Sequence, residues 1–184
     1  MLLPGCAPTV GPTGNLSQPV TTPEEAVEAA RTFDPDDIDR SIRRLNAGVA
    51  LGADLIAPLT PLLDDNDPTV RWAAIYMMSL VAVSPVDADL LMPALSDAEP
   101  TNRVVAAGAL VGLGRVEAVN VLVDAIDSQD ALPFDPLSRQ IGDLAREALE
   151  YYTGNTFDDA AMWRNWRDTS AGRIVWDGAR YVVR

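Results

Sequence analysis

The chain has no histidine and no lysine, and its one cysteine is Cys6. Without histidine there is no Ser-His-Asp or Cys-His constellation, and both the commonest general base and the commonest metal ligand are missing. A single thiol excludes an internal disulfide and a thiolate metal cage. An enzyme would have to be built on Asp, Glu, Tyr and Arg alone. Catalysis is therefore not the expectation, and no cofactor or metal is called for. The 14 cations are all arginines and face 27 acids, for a formal charge of −13. Such a surface repels phosphate backbones, so nucleic acid is not an expected partner. The excess acid serves solubility or suits a basic protein segment. No apolar run reaches the roughly 18 to 20 residues that a membrane-spanning helix needs.

What the chain does have is a copy of itself. Leu59, Pro61, Leu63, Asp65, Pro68, Thr69, Arg71 and Ala74 recur 32 positions later as Leu91, Pro93, Leu95, Asp97, Pro100, Thr101, Arg103 and Ala106. Asp67 returns as Glu99. A fixed period of about 30 to 45 residues marks stacked helical pairs, because one pair cannot bury its apolar face alone. Such arrays bind partners more often than they do chemistry.

Helix signals fill the middle of the chain. Thr22-Pro23-Glu24-Glu25 offers a capping hydroxyl, a proline at the first helical position and acids for the positive end of the helix dipole. Asp34-Pro35-Asp36-Asp37 repeats that start, and Ile38, Ile42, Leu45 and Val49 follow at helical spacing. Further helices are expected over 51–63, 67–83, 86–95, 101–113 and 116–126. After a looser insert over 128–135, another is expected over 136–152. Gly108, Gly112 and Gly114 follow no strand, so they form no dinucleotide loop; they ease helix crossing and end a helix at Gly114. Asp64-Asp65-Asn66-Asp67 lacks the glycine and closing glutamate of a calcium loop. Asp143, Glu147 and Glu150 are spaced one turn apart, with no evident apolar cleft to separate their pKa values.

The copied motif, Leu63-x-Asp65-x-Asp67-Pro68-x-Val70-Arg71 and Leu95-x-Asp97-x-Glu99-Pro100-x-x-Arg103, resembles the HEAT repeat, in the short bacterial form also found in phycobilisome lyases. A weaker third copy runs from Leu122 to Asp130 and resumes over Leu144 to Leu149. The resemblance covers about residues 35 to 154 and implies an all-α fold, an α-solenoid of HEAT-like helical pairs. It also implies ladders between neighbouring units, formed by Asp65, Asp67, Arg71, Asp97, Glu99 and Arg103. The alternative for these arginines is contact with a ligand. In function, it implies a non-enzymatic scaffold or protein-protein interaction module that binds a protein segment on an acidic face. Two other readings are a bilin-lyase-like or assembly chaperone and a HEAT-like nucleic-acid repair enzyme. The latter needs a basic groove that this charge does not supply.

Residues 155–184 are expected to cap the array. Trp163 and Trp166 lie one helical turn apart, so both rings face one side. They either cover the end of the last repeat or anchor a peptide. Ile174 to Val183 reads as a β-hairpin turning at Asp177-Gly178, a type I′ signal. Such a hairpin is marginal alone and has to pack on the helices.

Residues 1–22, rich in Gly and Pro, read as a disordered tether. Within them Leu3-Pro4-Gly5-Cys6 resembles a bacterial lipobox, which implies a lipid anchor on Cys6 as the one membrane link. That reading requires coding sequence upstream of Met1, because a signal peptide needs about 7 to 15 apolar residues before cleavage. The locations that follow are the cell envelope with the anchor, or the cytoplasm without it.

Overall fold

The computed structural model describes residues 20–134 and 139–184. Cys6, nearly all of the expected tether and the expected helix start at Pro136 lie outside the described residues. The end of that tether is ordered: Val20 is buried and converges with Ala26 and Met77 on Gly48. A capping box then starts α1 (Pro23–Arg31). The Thr22 hydroxyl accepts the Glu25 amide, and the Glu25 carboxylate accepts the amides of Thr21 and Thr22. α2 (Ile38–Val49) begins at Asp37, whose carboxylate accepts the Arg40 amide.

The expected helix over 51–63 is instead three short pieces. A 3-10 turn, Gly52–Leu55, leads into α3 (Ile56–Leu59) and a second 3-10 segment, Thr60–Asp64. Pro58 and Pro61 supply no N–H to a continuous ladder, so the chain tightens to 3-10 spacing. The next copy breaks in the same way. α5 (Pro85–Leu91) passes into the 3-10 segment Met92–Ser96, which contains Pro93. α5 starts one residue earlier than anticipated, since Ser84 and Asp87 form a capping box around Pro85.

Longer helices follow each broken one: α4 (Pro68–Val81) and α6 (Pro100–Gly112), both with proline at the start. α7 (Val116–Ala125) packs on α8 (Ile141–Thr153), and α9 (Ala160–Thr169) follows. α2, α4, α6 and α8 each pack on the next, while α6 also packs on α7 and α7 on α9. The core runs continuously through them. Leu45, Leu59, Ile75, Met77, Leu91, Leu110, Leu122 and Leu149 are all fully buried. Each such side chain contributes about 1.5 to 3 kcal/mol relative to exposure.

Glycine works differently at three positions in and just after α6. Gly112 is a close-approach site, since a Cβ there would lie 2.5 Å from the Tyr152 hydroxyl. Gly108 is not a crossing point; the space beyond its Cα is open. Gly114, with φ +81°, ends the helix, and the Arg115 amide bonds back to the Leu110 carbonyl.

The chain closes with β1 (Ile174–Trp176) antiparallel to β2 (Tyr181–Val183). Trp176 pairs with Tyr181, so the connection has four residues rather than the anticipated two. The Asp177 carboxylate accepts the amides of both Ala179 and Arg180, which holds the wider loop. That register lets Tyr181 bury its ring and donate its hydroxyl to the Val111 carbonyl at 3.1 Å.

Candidate functional site

Two copied turns carry most of the residues singled out by the motif. Asp65 Oδ1 accepts the Asp67 amide at 3.0 Å, and Asp97 Oδ1 accepts the Glu99 amide at 2.8 Å. In both, the arginine that follows folds back over the turn. Arg71 Nη1 donates to the Asp65 carbonyl at 2.8 Å, and Arg103 Nη1 to the Asp97 carbonyl at 2.8 Å. Asp67 caps α4 by accepting the Thr69 amide, whereas Glu99 makes no side-chain cap for α6.

Beyond the turn the copies diverge. Arg71 reaches the next copy, with Nε and Nη2 on the two carboxylate oxygens of Asp97 at 2.7 and 2.9 Å. Burial opposes the Asp97 charge, but the Arg71 hydrogen bonds, the Glu99 amide and Asn102 outweigh it and hold the carboxyl below its usual range. The same bond raises the Arg71 guanidinium above its ordinary value. Among the described residues, the one ion pair of the Asp65 carboxylate is a distant approach from Arg31, at 3.9 Å. Arg103 reaches no carboxylate of another copy among the described residues.

Trp163 is fully buried, edge-on to Phe157 at 4.8 Å and to Trp166 at 5.9 Å. It is therefore part of the packing of α9 and cannot serve as a partner anchor; Trp166 is half-buried beside it. The rings do face one side, and that side faces the protein.

A feature without a motif is the groove over α2, α4, α6 and α8, about 780 Å³ in volume. Ile42 and Asn46 border it on α2, Trp72, Tyr76 and Ser79 on α4, and Val105, Gly108 and Ala109 on α6. α8 contributes Leu144, Glu147, Ala148, Tyr151 and Tyr152, and the insert closes one side with Leu132, Pro133, Phe134 and Arg139. Trp72 stacks on Tyr76 with ring centroids 5.2 Å apart, and Phe134 sits edge-on to Trp72 at 4.8 Å. Phe134 has φ +62°, a left-handed conformation that is uncommon for a bulky residue. Its ring, wedged between Phe33 and Trp72, offsets that strain through packing. Tyr76 donates its hydroxyl to Asn46 Oδ1 at 2.9 Å, fixing one wall. The Trp72 indole N–H is buried with no hydrogen-bond partner among the described residues.

The groove lining differs from the acidic face expected from the net charge. Glu147 is its one acid among the described residues, and Arg139 Nη1 donates to it at 2.8 Å. The walls are aliphatic and aromatic, with Tyr151 78% exposed at the mouth and so available for contact. No aligned motif pointed here. The usable signal was the aromatic spacing Trp72-x-x-x-Tyr76 and Tyr151-Tyr152, together with an insert that brings a phenylalanine.

No protein-family model matches the chain, and no curated protein matches it at a significant level.

Proposed function

We propose that the chain is a non-enzymatic interaction module: HEAT-like helical pairs stacked as a short α-solenoid, holding a protein segment in the apolar groove over α2, α4, α6 and α8. The observation that carries this reading is the groove itself, about 780 Å³, with apolar walls and a few placed polar groups. The contact sequence of its helices, each on the next, supports stacking. The occupant is an apolar or aromatic side chain on a short segment, with basic flanks that suit a protein of charge −13. A small hydrophobic molecule is the second reading, favoured by the stacked Trp72 and Tyr76 rings and by a volume inside the range of small-ligand sites, about 300 to 1,000 Å³.

Gly108→Leu separates binding from folding. No side chain lies within 4 Å of where a Gly108 Cβ would stand, so leucine is expected to project into the groove, and in mid-helix it is the better helix former by roughly 0.5 to 1 kcal/mol. Peptides selected from a random displayed library against the full chain are expected to perturb Trp72 and Tyr151 and to lose binding to Gly108→Leu, which melts no lower than the parent. Selected peptides that bind the leucine variant equally well refute the groove assignment. Duplex DNA binding at physiological salt with base excision refutes the whole reading.

A further inference from the structure

Arg71 and Arg103 have the same local anchor and different company. Each lays Nη1 across its own turn, on Asp65 and Asn66 carbonyls in one case and on Asp97 and Ala98 carbonyls in the other. That anchor leaves Nε and Nη2, the other edge of the planar guanidinium, aimed away from the turn. At Arg71 this edge takes the Asp97 carboxylate through two parallel bonds. At Arg103 the edge makes no hydrogen bond or ion pair among the described residues. Arg103 also lines a pocket of about 480 Å³ between α6, α7 and the start of α8.

Arg103 has lost its neighbour because the third copy is interrupted. Position 129, where the repeat would set the next turn aspartate, is Gln129, inside the insert over 128–135. The pocket walls are Leu95, Val104, Val121 and Ile141. Two acids also line it. Asp124 pairs with Arg167, which it shares with Asp168, and Asp130 pairs with the Ser128 hydroxyl at 3.3 Å rather than with Arg103.

We propose that the free edge of Arg103 is a binding site for a carboxylate carried on a short aliphatic body. Arg71 and Asp97 display the bond it would make: a bidentate, charge-assisted pair, which a lone carboxylate satisfies with no rearrangement of the turn. The aliphatic wall takes the rest of the ligand. Two sources present this chemistry, a free branched-chain acid and the C-terminal carboxylate of a polypeptide ending in an aliphatic residue. Asp130 weakens both by like-charge repulsion and so limits affinity. The proposal does not depend on the groove over α2 to α8.

The test is calorimetric titration of the full chain with 4-methylpentanoate, N-acetylleucine and N-acetylleucinamide. The two acids bind saturably, with Kd on the order of 1 mM, and the amide does not. Tighter binding of N-acetylleucine assigns a polypeptide terminus, and tighter binding of 4-methylpentanoate a free acid. Arg103→Gln abolishes binding, and Asp130→Asn tightens it about threefold, a gain that a merely structural aspartate would not give. Should Arg103→Gln fail to fold, the 15N-resolved Nε–H of Arg103 in the parent chain gives the same reading: it shifts with acid and not with amide. Equal binding of acid and amide, unchanged binding in Arg103→Gln, or no saturable binding of either acid overturns the proposal.

Discussion

Residues 65–81 and 97–112 are two castings of one local design, and they show where local design stops. Proline starts both helices, an aspartate caps the turn amide in both, and an arginine returns to the turn carbonyl at 2.8 Å in both. Within about six residues one contact differs: Asp67 caps α4 through the Thr69 amide, and Glu99 makes no such cap. Beyond that, what differs is the neighbour. The first copy is followed by a second that supplies Asp97, whereas the second is followed by a unit broken by an insert. A short motif thus specifies its own turn, while the partner of its outward-facing charge is set by the element that stacks on it.

The largest effect should come from breaking that difference directly. Arg71→Ala leaves Asp97, whose side chain is 5% exposed, without its cation and removes two carbonyl partners, so it should cost about 3 kcal/mol. Arg103→Ala removes only the carbonyl bonds and should cost about 1 kcal/mol. Urea unfolding of both variants measures the gap. Equal losses would mean that the bond between copies adds nothing to stability beyond the local turn.

A smaller effect is expected where the third unit rejoins the pattern. Gly142 sits in the first turn of α8, and a Cβ there would lie 2.8 Å from the carbonyl oxygens of both Ile126 and Ser128. Backbone cannot yield as a side chain does, so Gly142→Ala should destabilise by about 2 kcal/mol. Gly108→Ala, in open space within α6, should stabilise by about 0.5 to 1 kcal/mol. Thermal unfolding of the pair tests whether the insert is anchored by this close approach. Two substitutions of the same sign would show that it is not.

The contrast also explains what could be read from the sequence. Starts such as Thr22-Pro23 and Asp67-Pro68 were legible because capping involves residues two or three apart. The 3-10 breaks over 52–64 and 92–96 were written in Pro58, Pro61 and Pro93, but apolar spacing alone suggested unbroken helices. The hairpin was legible and its turn was not, because a wider loop lets Tyr181 bury its ring and reach Val111. The spacing of Trp163 and Trp166 suits either a cap or a peptide anchor, and only the contacts of Trp163 with Phe157 and Trp166 put it inside. The groove was illegible for a different reason. Ile42, Trp72, Gly108, Phe134 and Tyr151 share no local pattern, and only the stacking of four helices and the folding of the insert bring them together.

Acid should narrow the difference between the two arginines, by the part that rests on the Asp97 charge and that burial already opposes. The folded Asp97 carboxyl titrates below its ordinary value, of about 3.9 in an unfolded chain. Its ionised form therefore contributes stability that is fully present above that ordinary value. The contribution is lost as pH falls through the lower, folded value. Arg71 stays charged throughout, so the loss belongs to the carboxylate alone. The destabilisation by Arg71→Ala relative to Arg103→Ala should accordingly be full at neutral pH and shrink as falling pH protonates Asp97. Unfolding of the parent and both variants in urea across that range measures it. A gap that persists unchanged well below pH 4 would assign the advantage of Arg71 to its carbonyl bonds and packing, and would remove the carboxylate from the account of how the copies are joined.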